Sequence, residues 1–312
     1  MPARDQQSFS LTTMRLAVIG GGGVGSYIAG LLAHHGQDVR LLTRGAHLDA
    51  IRTSGLVVRT PNQSYTVALA ATDDAQTLVR SDYAILTVKG YDLGDIAPVT
   101  RLLTSNGTTI VPLLNGVDIA DRLAELGIAR ERILDGLITI SAVRTAAGIV
   151  ERRSGFQQIT IGEADGELSA RAVRLGTALD EAGLPTKVSR EIRLDLWRKF
   201  AFLTSLAAAC ALRRAPIGGV LSDPSGRHLL VDALAEVTAV GRAAGVAWTT
   251  DDEARILTTL ESLPAAMKPS LLVDLENGRS TEVDTLSGTI VRLGREHGID
   301  TPVHERVVRE LT

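Results

Sequence analysis

The stretch that decides the fold reads Leu16-Ala-Val-Ile-Gly20-Gly-Gly22-Gly-Val-Gly25-Ser-Tyr-Ile-Ala-Gly-Leu-Leu32. An apolar, strand-like run ends in glycines spaced G-x-G-x-x-G, and apolar residues then recur at a helical period. Gly20 permits a tight turn, Gly22 lets a pyrophosphate approach the backbone, and Gly25 lets the helix pack close to the sheet. Because free amide groups at a helix N-terminus attract phosphate, this strand, turn and helix predict a dinucleotide site. We assign one continuous loop to cofactor binding: Gly20, Gly21, Gly22, Gly23, Val24 and Gly25.

The composition indicates a globular protein of two domains. The chain has 312 residues, of which 45% are hydrophobic and 3% aromatic, and its net charge is -3. This length suits two cores of ordinary size, and the charge argues against a nucleic-acid partner. Cys210 lies in an apolar run that favours a buried small hydrophobe over a nucleophile, and a single cysteine excludes an internal disulfide. We assign no metal ligands.

No targeting or membrane signal is visible. Residues 1–13 lack the apolar core of a signal peptide. No later stretch reaches about 18 uninterrupted apolar residues, which is the length that a membrane-spanning helix needs. We therefore expect a cytoplasmic protein without a membrane partner, in which residues 1–13 form a disordered tail.

The first part of the chain predicts an α/β fold with a Rossmann-type, doubly wound sheet over residues 14–190. Gly36 ends the first helix, and residues 38–44 then complete a strand–helix–strand unit. Further strands are expected at 57–59 and 65–69 as a hairpin, at 83–88 and 109–114 as buried strands, at 136–161 as antiparallel additions to the sheet, and at 186–189 after a helix over 168–182.

Strand patterns stop near residue 190, so residues 191–312 are predicted to form a second, all-helical domain. A long helix over 191–213 ends at a break formed by Pro216 and the glycines that follow. Asp223-Pro224 supplies an N-cap and a first-turn proline, and Thr250-Asp-Asp-Glu253 predicts a capping box. Further helices are expected over 269–276 and 281–297, and from Thr301-Pro302 to the end.

Three polar side chains follow strands of the predicted parallel sheet: Arg44, Lys89 and Asn115. The carboxyl ends of parallel strands share one edge, so we expect these residues to converge on one crevice. An NAD site would place Asp or Glu after the second strand, where this chain has Arg44. A guanidinium group suits a 2′-phosphate, so NADP is the expected cofactor, although a solvated loop arginine remains the alternative.

Two residues of the helical part are candidates for catalysis. Lys199 lies on a helix face that carries Leu203 and Ala207 at i+4 and i+8, and loss of hydration there would lower its pKa toward neutrality. The alternative is a lysine whose stem covers apolar surface while its amine faces solvent. Glu282 lies near a predicted helix start, where its spacing alone indicates no more than a partner for the helix dipole.

The order of these motifs resembles the ketopantoate reductase (2-dehydropantoate 2-reductase) family from residue 14 onward. Its members combine a Rossmann domain with a helical domain and use NADPH to reduce a 2-oxo acid to a 2-hydroxy acid. The resemblance implies that Lys199 is the general acid and that Glu282 helps to hold substrate and cofactor. It also implies that Asn115 touches both ligands, that Ser270 contacts the substrate, and that Arg44 and Lys89 line the cofactor site. The matching residues are Gly20, Gly22, Gly25, Arg44, Thr87-Val-Lys89, Asn115-Gly116, Leu196-Trp-Arg-Lys199, Ser270 and Thr281-Glu-Val-Asp284.

The chain departs from the family at three positions where the family carries asparagine: Leu203, Ala207 and Ile217. We expect Leu203 and Ala207 to line the substrate pocket, which would then be more apolar and would discriminate less well for ketopantoate. The expected partner is a small-molecule 2-oxo acid; a homodimer and a place in pantothenate biosynthesis are left open. Two alternatives remain: a dehydrogenase of an opine or a sugar acid, and a catalytically idle NADP-binding sensor.

Overall fold

A computed structural model describes residues 14–312, so the predicted disordered tail lies outside the described residues. The strands of this part are β1 Arg15–Ile19, β2 Asp38–Leu42, β3 Leu56–Arg59, β4 Ser64–Val67, β5 Ala70–Thr72, β6 Tyr83–Leu86, β7 Thr109–Pro112, β8 Asp135–Thr139, β9 Ala142–Ala146, β10 Ile149–Arg152, β11 Gln158–Gly162 and β12 Thr186–Val188. The α-helices are α1 Gly23–His34, α2 Ala46–Ser54, α3 Leu93–Ser105, α4 Ile119–Glu125, α5 Ala170–Glu181, α6 Ile192–Arg213, α7 Ile217–Leu221, α8 Pro224–Ala243, α9 Thr250–Glu261, α10 Ser270–Glu276, α11 Thr289–His297 and α12 Pro302–Leu311.

The central element is a five-stranded parallel sheet in the order β5-β2-β1-β6-β7. Alternate residues of β1 enter different cores, with Leu16 and Val18 on one face of the sheet and Ala17 and Ile19 on the other. A strand that is buried on both faces must be apolar throughout, which explains its continuous hydrophobic run. The predicted doubly wound sheet is confirmed.

The antiparallel strands predicted over 136–161 exist, but they do not extend this sheet. They divide between a four-stranded sheet, β4-β3-β10-β9, and a three-stranded sheet, β12-β11-β8. The predicted hairpin forms as β3 and β4, and it joins the later hairpin through parallel pairing of β3 with β10. A single bridge between Ile110 and Ile133 links β7 to the segment before β8. Strand patterning specifies which face is apolar, but the choice of neighbouring strand depends on contacts distant in sequence.

Helices alone follow Val188, and they surround a core of their own. Trp197 and Phe200 of α6 and Leu234 of α8 are buried in it. The predicted cap of α8 is confirmed, because the Asp223 side chain accepts a hydrogen bond from the Ser225 amide. Within residues 14–312, no helix combines the length and the apolar character needed to cross a membrane.

Three local details of the helical part differ from expectation. The capping box of α9 is formed by Thr249 and Asp252, one residue before the predicted position, because Thr249 is the last residue in extended conformation. The predicted break after α6 contains the short helix α7. The helix expected over 281–297 begins with a π-helical turn, Asp284–Gly288, before α11. Helical periodicity does not predict a π-turn, because such turns occur mostly as single turns within α-helices.

Close packing of the glycine loop predicts different costs for two of its glycines. A Cβ on Gly25 would lie 2.0 Å from the Gly20 carbonyl oxygen, whereas a Cβ on Gly22 would have no atom within 4 Å. Gly25→Ser should therefore lower the free energy of unfolding by about 1–3 kcal/mol, the usual cost of overpacking. Gly22→Ser should change it by less than about 0.5 kcal/mol, since serine is a favoured N-cap.

Urea unfolding followed by circular dichroism measures both free energies. Equal losses in the two variants would show that the helix start is not packed against the strand end as described.

Candidate functional site

A cleft of about 840 Å³ lies at the edge where the parallel strands end. Its walls include the glycine loop and the residues after β2, β6 and β7, and Ser270 and Glu282 contribute from the helical part. The three residues predicted to converge there, Arg44, Lys89 and Asn115, all line it. The cleft therefore brings together groups from the sheet and from the helices.

Hydrogen bonds to the neighbouring strand ends hold the glycine loop in place, and its other side is open to the cleft. Gly20 has a φ of 114°, a value that favours glycine, and its amide donates to the Leu42 carbonyl at 3.2 Å. The Thr87 hydroxyl donates to the carbonyls of Ile19 and Gly20 at 3.1 and 3.0 Å. At the N-cap of α1, Gly22 provides no side-chain cap and leaves open space where a side chain would stand. The uncapped amides and this space fit the phosphates of a dinucleotide.

Glu282 is the polar centre of the cleft. Its carboxylate is only 5% exposed. The Lys89 ammonium donates to Glu282 Oε2 at 2.6 Å, and Asn115 Nδ2 donates to the same oxygen at 3.4 Å. Burial alone would lower the pKa of Lys89, but the neighbouring acidic groups, Glu282 before Asp274, together outweigh burial and raise that pKa. This ion pair joins the end of β6 to the helical part.

Lys199 reaches the cleft through Asn115. Its Nζ donates to Asn115 Oδ1 at 3.0 Å, so the amide of Asn115 lies between Lys199 and Glu282. Burial lowers the pKa of Lys199 to about 8, while the Glu282 carboxylate acts in the opposite direction. An amine with this pKa can give or take a proton near neutral pH.

The structure does not bring all the predicted residues to the cleft. Ala207 is 1% exposed and Ile217 is 0% exposed, and both lie inside the helical core. This corrects the expectation that Ala207 lines the pocket. Ala207 shares a helix face with Lys199, but it lies two turns farther along the helix, where the helical bundle covers that face. Leu203 packs against the same core and is half-buried. Gly25 lies within α1 and packs against Gly20 instead of facing the cleft.

Two charged residues at the cleft belong to none of the sequence motifs. Asp274 of α10 lies 3.9 Å from Lys89 Nζ and 3.0 Å from Arg279, so it is a second carboxylate beside Lys89. It could have been found, because it lies at i+4 from Ser270 on one helix face. Arg144 of β9 also lines the cleft, and its Nη1 donates to the Gly21 carbonyl at 3.1 Å. No motif marks Arg144.

Sequence comparisons cover nearly the whole chain. The family described as ketopantoate reductase PanE/ApbA matches residues 16–166, and its C-terminal counterpart matches residues 191–312. The chain is 29% identical to the uncharacterized oxidoreductase YkpB of Bacillus subtilis, over 96% of this chain and 98% of that protein. It is 30% identical to the 2-dehydropantoate 2-reductase of Halobacterium salinarum, over 93% and 95% of the two chains.

Solved structures share the fold. The 2-dehydropantoate 2-reductase of Geobacter metallireducens superposes with a TM-score of 0.87 at 26% identity, covering 96% of this chain and 100% of that one. D-mandelate dehydrogenase, solved with NADH and anilino(oxo)acetate, superposes with a TM-score of 0.85 at 22% identity, covering 95% and 96%. At that identity the second likeness concerns the fold alone.

The surroundings of Lys199 predict how its amine titrates. The rate of acylation of Lys199 by acetic anhydride, followed by mass spectrometry across pH, should give a midpoint of about 8. Glu282→Gln should move the midpoint lower, because it removes the negative charge that favours the ammonium form. Glu276→Gln, which removes a carboxylate bonded to Lys268, should leave it unchanged.

A midpoint at the ordinary lysine value of 10.5 would return Lys199 to the class of solvated surface lysines.

Proposed function

Because the chain belongs to the ketopantoate reductase family, we propose that it uses NADPH to reduce a 2-oxo acid to a 2-hydroxy acid. The family makes it an oxidoreductase of ketone or CH–OH groups. The observation that carries the proposal is the chain of contacts from Lys199 through Asn115 to Glu282 and Lys89, beside the glycine loop. These contacts support a proton donor, Lys199, at the expected nicotinamide end of a dinucleotide cleft.

Arg44 supports NADPH as the cofactor. It follows β2, where Rossmann folds hold the ribose 2′ position, and it is exposed on the cleft wall. Within residues 14–312 it has no carboxylate oxygen within 4.0 Å. The fold by itself does not select the cofactor, since D-mandelate dehydrogenase shares it and was solved with NADH. The choice of NADPH therefore rests on the guanidinium group, which suits a phosphate dianion.

The polar chain can stabilise the charge that develops on the substrate. The glycine loop would hold a reduced nicotinamide cofactor, which would supply the hydride that the carbonyl carbon of the substrate needs. Lys199 then donates a proton to the carbonyl oxygen, where negative charge accumulates. Asn115 orients the Lys199 amine by accepting its hydrogen bond, and Lys89 holds the Glu282 carboxylate in place at the cleft.

Ser270 and Leu203 bear on the choice of substrate. Ser270 lines the cleft at the start of α10, where its hydroxyl can hydrogen-bond a polar substrate group. Of the three positions where the family carries asparagine, Leu203 alone is partly exposed; Ala207 and Ile217 are buried. The proposal of a more apolar pocket therefore depends on the side chain of Leu203 alone, which lies one turn from Lys199. We propose that it favours a 2-oxo acid with a larger apolar group than ketopantoate.

Three further expectations stay predictions. They are the division into domains at residues 14–190 and 191–312, the cytoplasmic location, and assembly as a homodimer.

Lys199→Ala should lower turnover by about 10²–10⁴-fold, the usual contribution of a positioned general acid. Binding of NADPH should be retained, because Lys199 lies on the helical side of the cleft. Turnover is measured as oxidation of NADPH with a panel of 2-oxo acids. Lys187→Ala is the matched control, since this lysine pairs with Asp195 of α6 and is well exposed.

Turnover of Lys199→Ala close to that of the unmutated protein would refute the assigned acid. An unmutated protein that binds NADPH but reduces no member of the panel would support the idle sensor.

Leu203→Asn should raise kcat/KM for ketopantoate relative to a branched or aromatic 2-oxo acid. One added hydrogen bond contributes about 0.5–1.5 kcal/mol, which corresponds to a relative gain of about 2- to 10-fold. Ala207→Asn is the contrasting variant: it should lower stability without changing this preference, because Ala207 lies in the core. Efficient use of ketopantoate by the unmutated protein, in preference to every apolar substrate, would contradict the role of Leu203.

A further inference from the structure

Arg144 lines the proposed cofactor cleft, although it belongs to no sequence motif. It belongs to β9, which crosses the start of α1 so closely that a Cβ on Gly23 would lie 2.1 Å from the Ala142 carbonyl oxygen. From there the Arg144 guanidinium donates to the Gly21 carbonyl at 3.1 Å. The backbone of β9 thus fixes this arginine against the glycine loop.

The charges around the loop leave Arg144 without an acidic partner. Within the described part of the chain, neither Arg144 nor Arg44 has a carboxylate oxygen within 4.0 Å. The third basic residue of the cleft, Lys89, is paired with Glu282, and the acidic Asp73 is paired with Arg52. Two guanidinium groups that line the same cleft therefore lack a counter-ion, which is the arrangement that an anionic ligand completes.

The position of Arg144 is on the β2 side of the loop. A Cβ on Gly21 would lie 2.0 Å from Thr43 Oγ1 and 3.2 Å from His47 Cδ2, so Gly21 packs against the turn that carries Arg44. Arg144 also acts on His47, three residues after Arg44: burial, assisted by the Arg144 charge, lowers the pKa of His47 to about 4. The end of β2 is where a Rossmann fold places the ribose 2′ position.

We propose that Arg144 is a second determinant of NADPH specificity, which binds the 2′-phosphate together with Arg44. The proposal rests on the proposed use of NADPH. A phosphate monoester offers three oxygens, enough for two guanidinium groups approaching from β9 and from the end of β2. Since Arg144 donates one N–H to the Gly21 carbonyl, its remaining N–H donors are available to the phosphate.

The test compares dissociation constants for NADPH and NADH by isothermal titration calorimetry. Arg144→Gln should weaken NADPH binding about tenfold, as expected for one charge-assisted hydrogen bond, and leave NADH binding within about twofold. Arg44→Gln should behave in the same way, and Arg144→Lys should show a smaller selective loss. Arg153→Gln is the matched control, because this nearby arginine pairs with Glu151 and lies outside the cleft lining.

Three calorimetric outcomes would contradict the proposal or its premise. Equal loss of NADPH and NADH in Arg144→Gln would place the arginine on the diphosphate or on the loop fold, and would overturn the proposal. A preference for NADPH that is undiminished in both Arg144 variants would also overturn it, while the proposed function stands. An unmutated protein that binds NADPH and NADH equally would refute the preference for NADPH on which the proposal rests, before any variant is considered.

Discussion

The ion pair between Lys89 and Glu282 is the interaction on which the cleft depends. It joins the end of β6 to the segment just before the π-helical turn over a distance of 2.6 Å. A carboxylate as buried as Glu282 is costly unless its charge is compensated and its oxygens are hydrogen-bonded. Lys89 and Asn115 meet that need from the sheet side, so the same contacts that make the buried charge tolerable also hold sheet and helices together.

The chemistry of Lys199 follows from its place beside this pair. Burial disfavours its ammonium form, and the Glu282 carboxylate, itself paired with Lys89, only partly restores it. The result is an amine with a pKa of about 8, aligned by the Asn115 amide. The Glu282 carboxylate thus connects fold stability, the orientation of Asn115 and the acidity of Lys199. These three properties are therefore coupled through one hydrogen-bonded network.

The proposed cofactor site leaves a clearer signal in the sequence than the proposed substrate site. The proposed phosphate site depends on backbone conformation and glycine, which leave a local pattern of six residues from Gly20 to Gly25. The proposed substrate site uses side chains from α6, α10 and the segment that carries Glu282, which converge only through packing. Leu203, Ala207 and Ile217 carry the same apolar signal in the sequence, yet they differ in exposure because different neighbours cover them.

What the sequence determined by itself is local. The strand–turn–helix around Gly20, the apolar strands of the parallel sheet, the N-cap at Asp223 and the convergence of Arg44, Lys89 and Asn115 all follow from short-range periodicity and the shared polarity of parallel strands. The tertiary structure alone decided that the antiparallel strands build separate sheets, that Ala207 is covered, that a π-turn follows Glu282, and that Arg144 meets the glycine loop. Each of these depends on contacts between segments far apart in the chain, and such contacts are selected by the packing of the whole core.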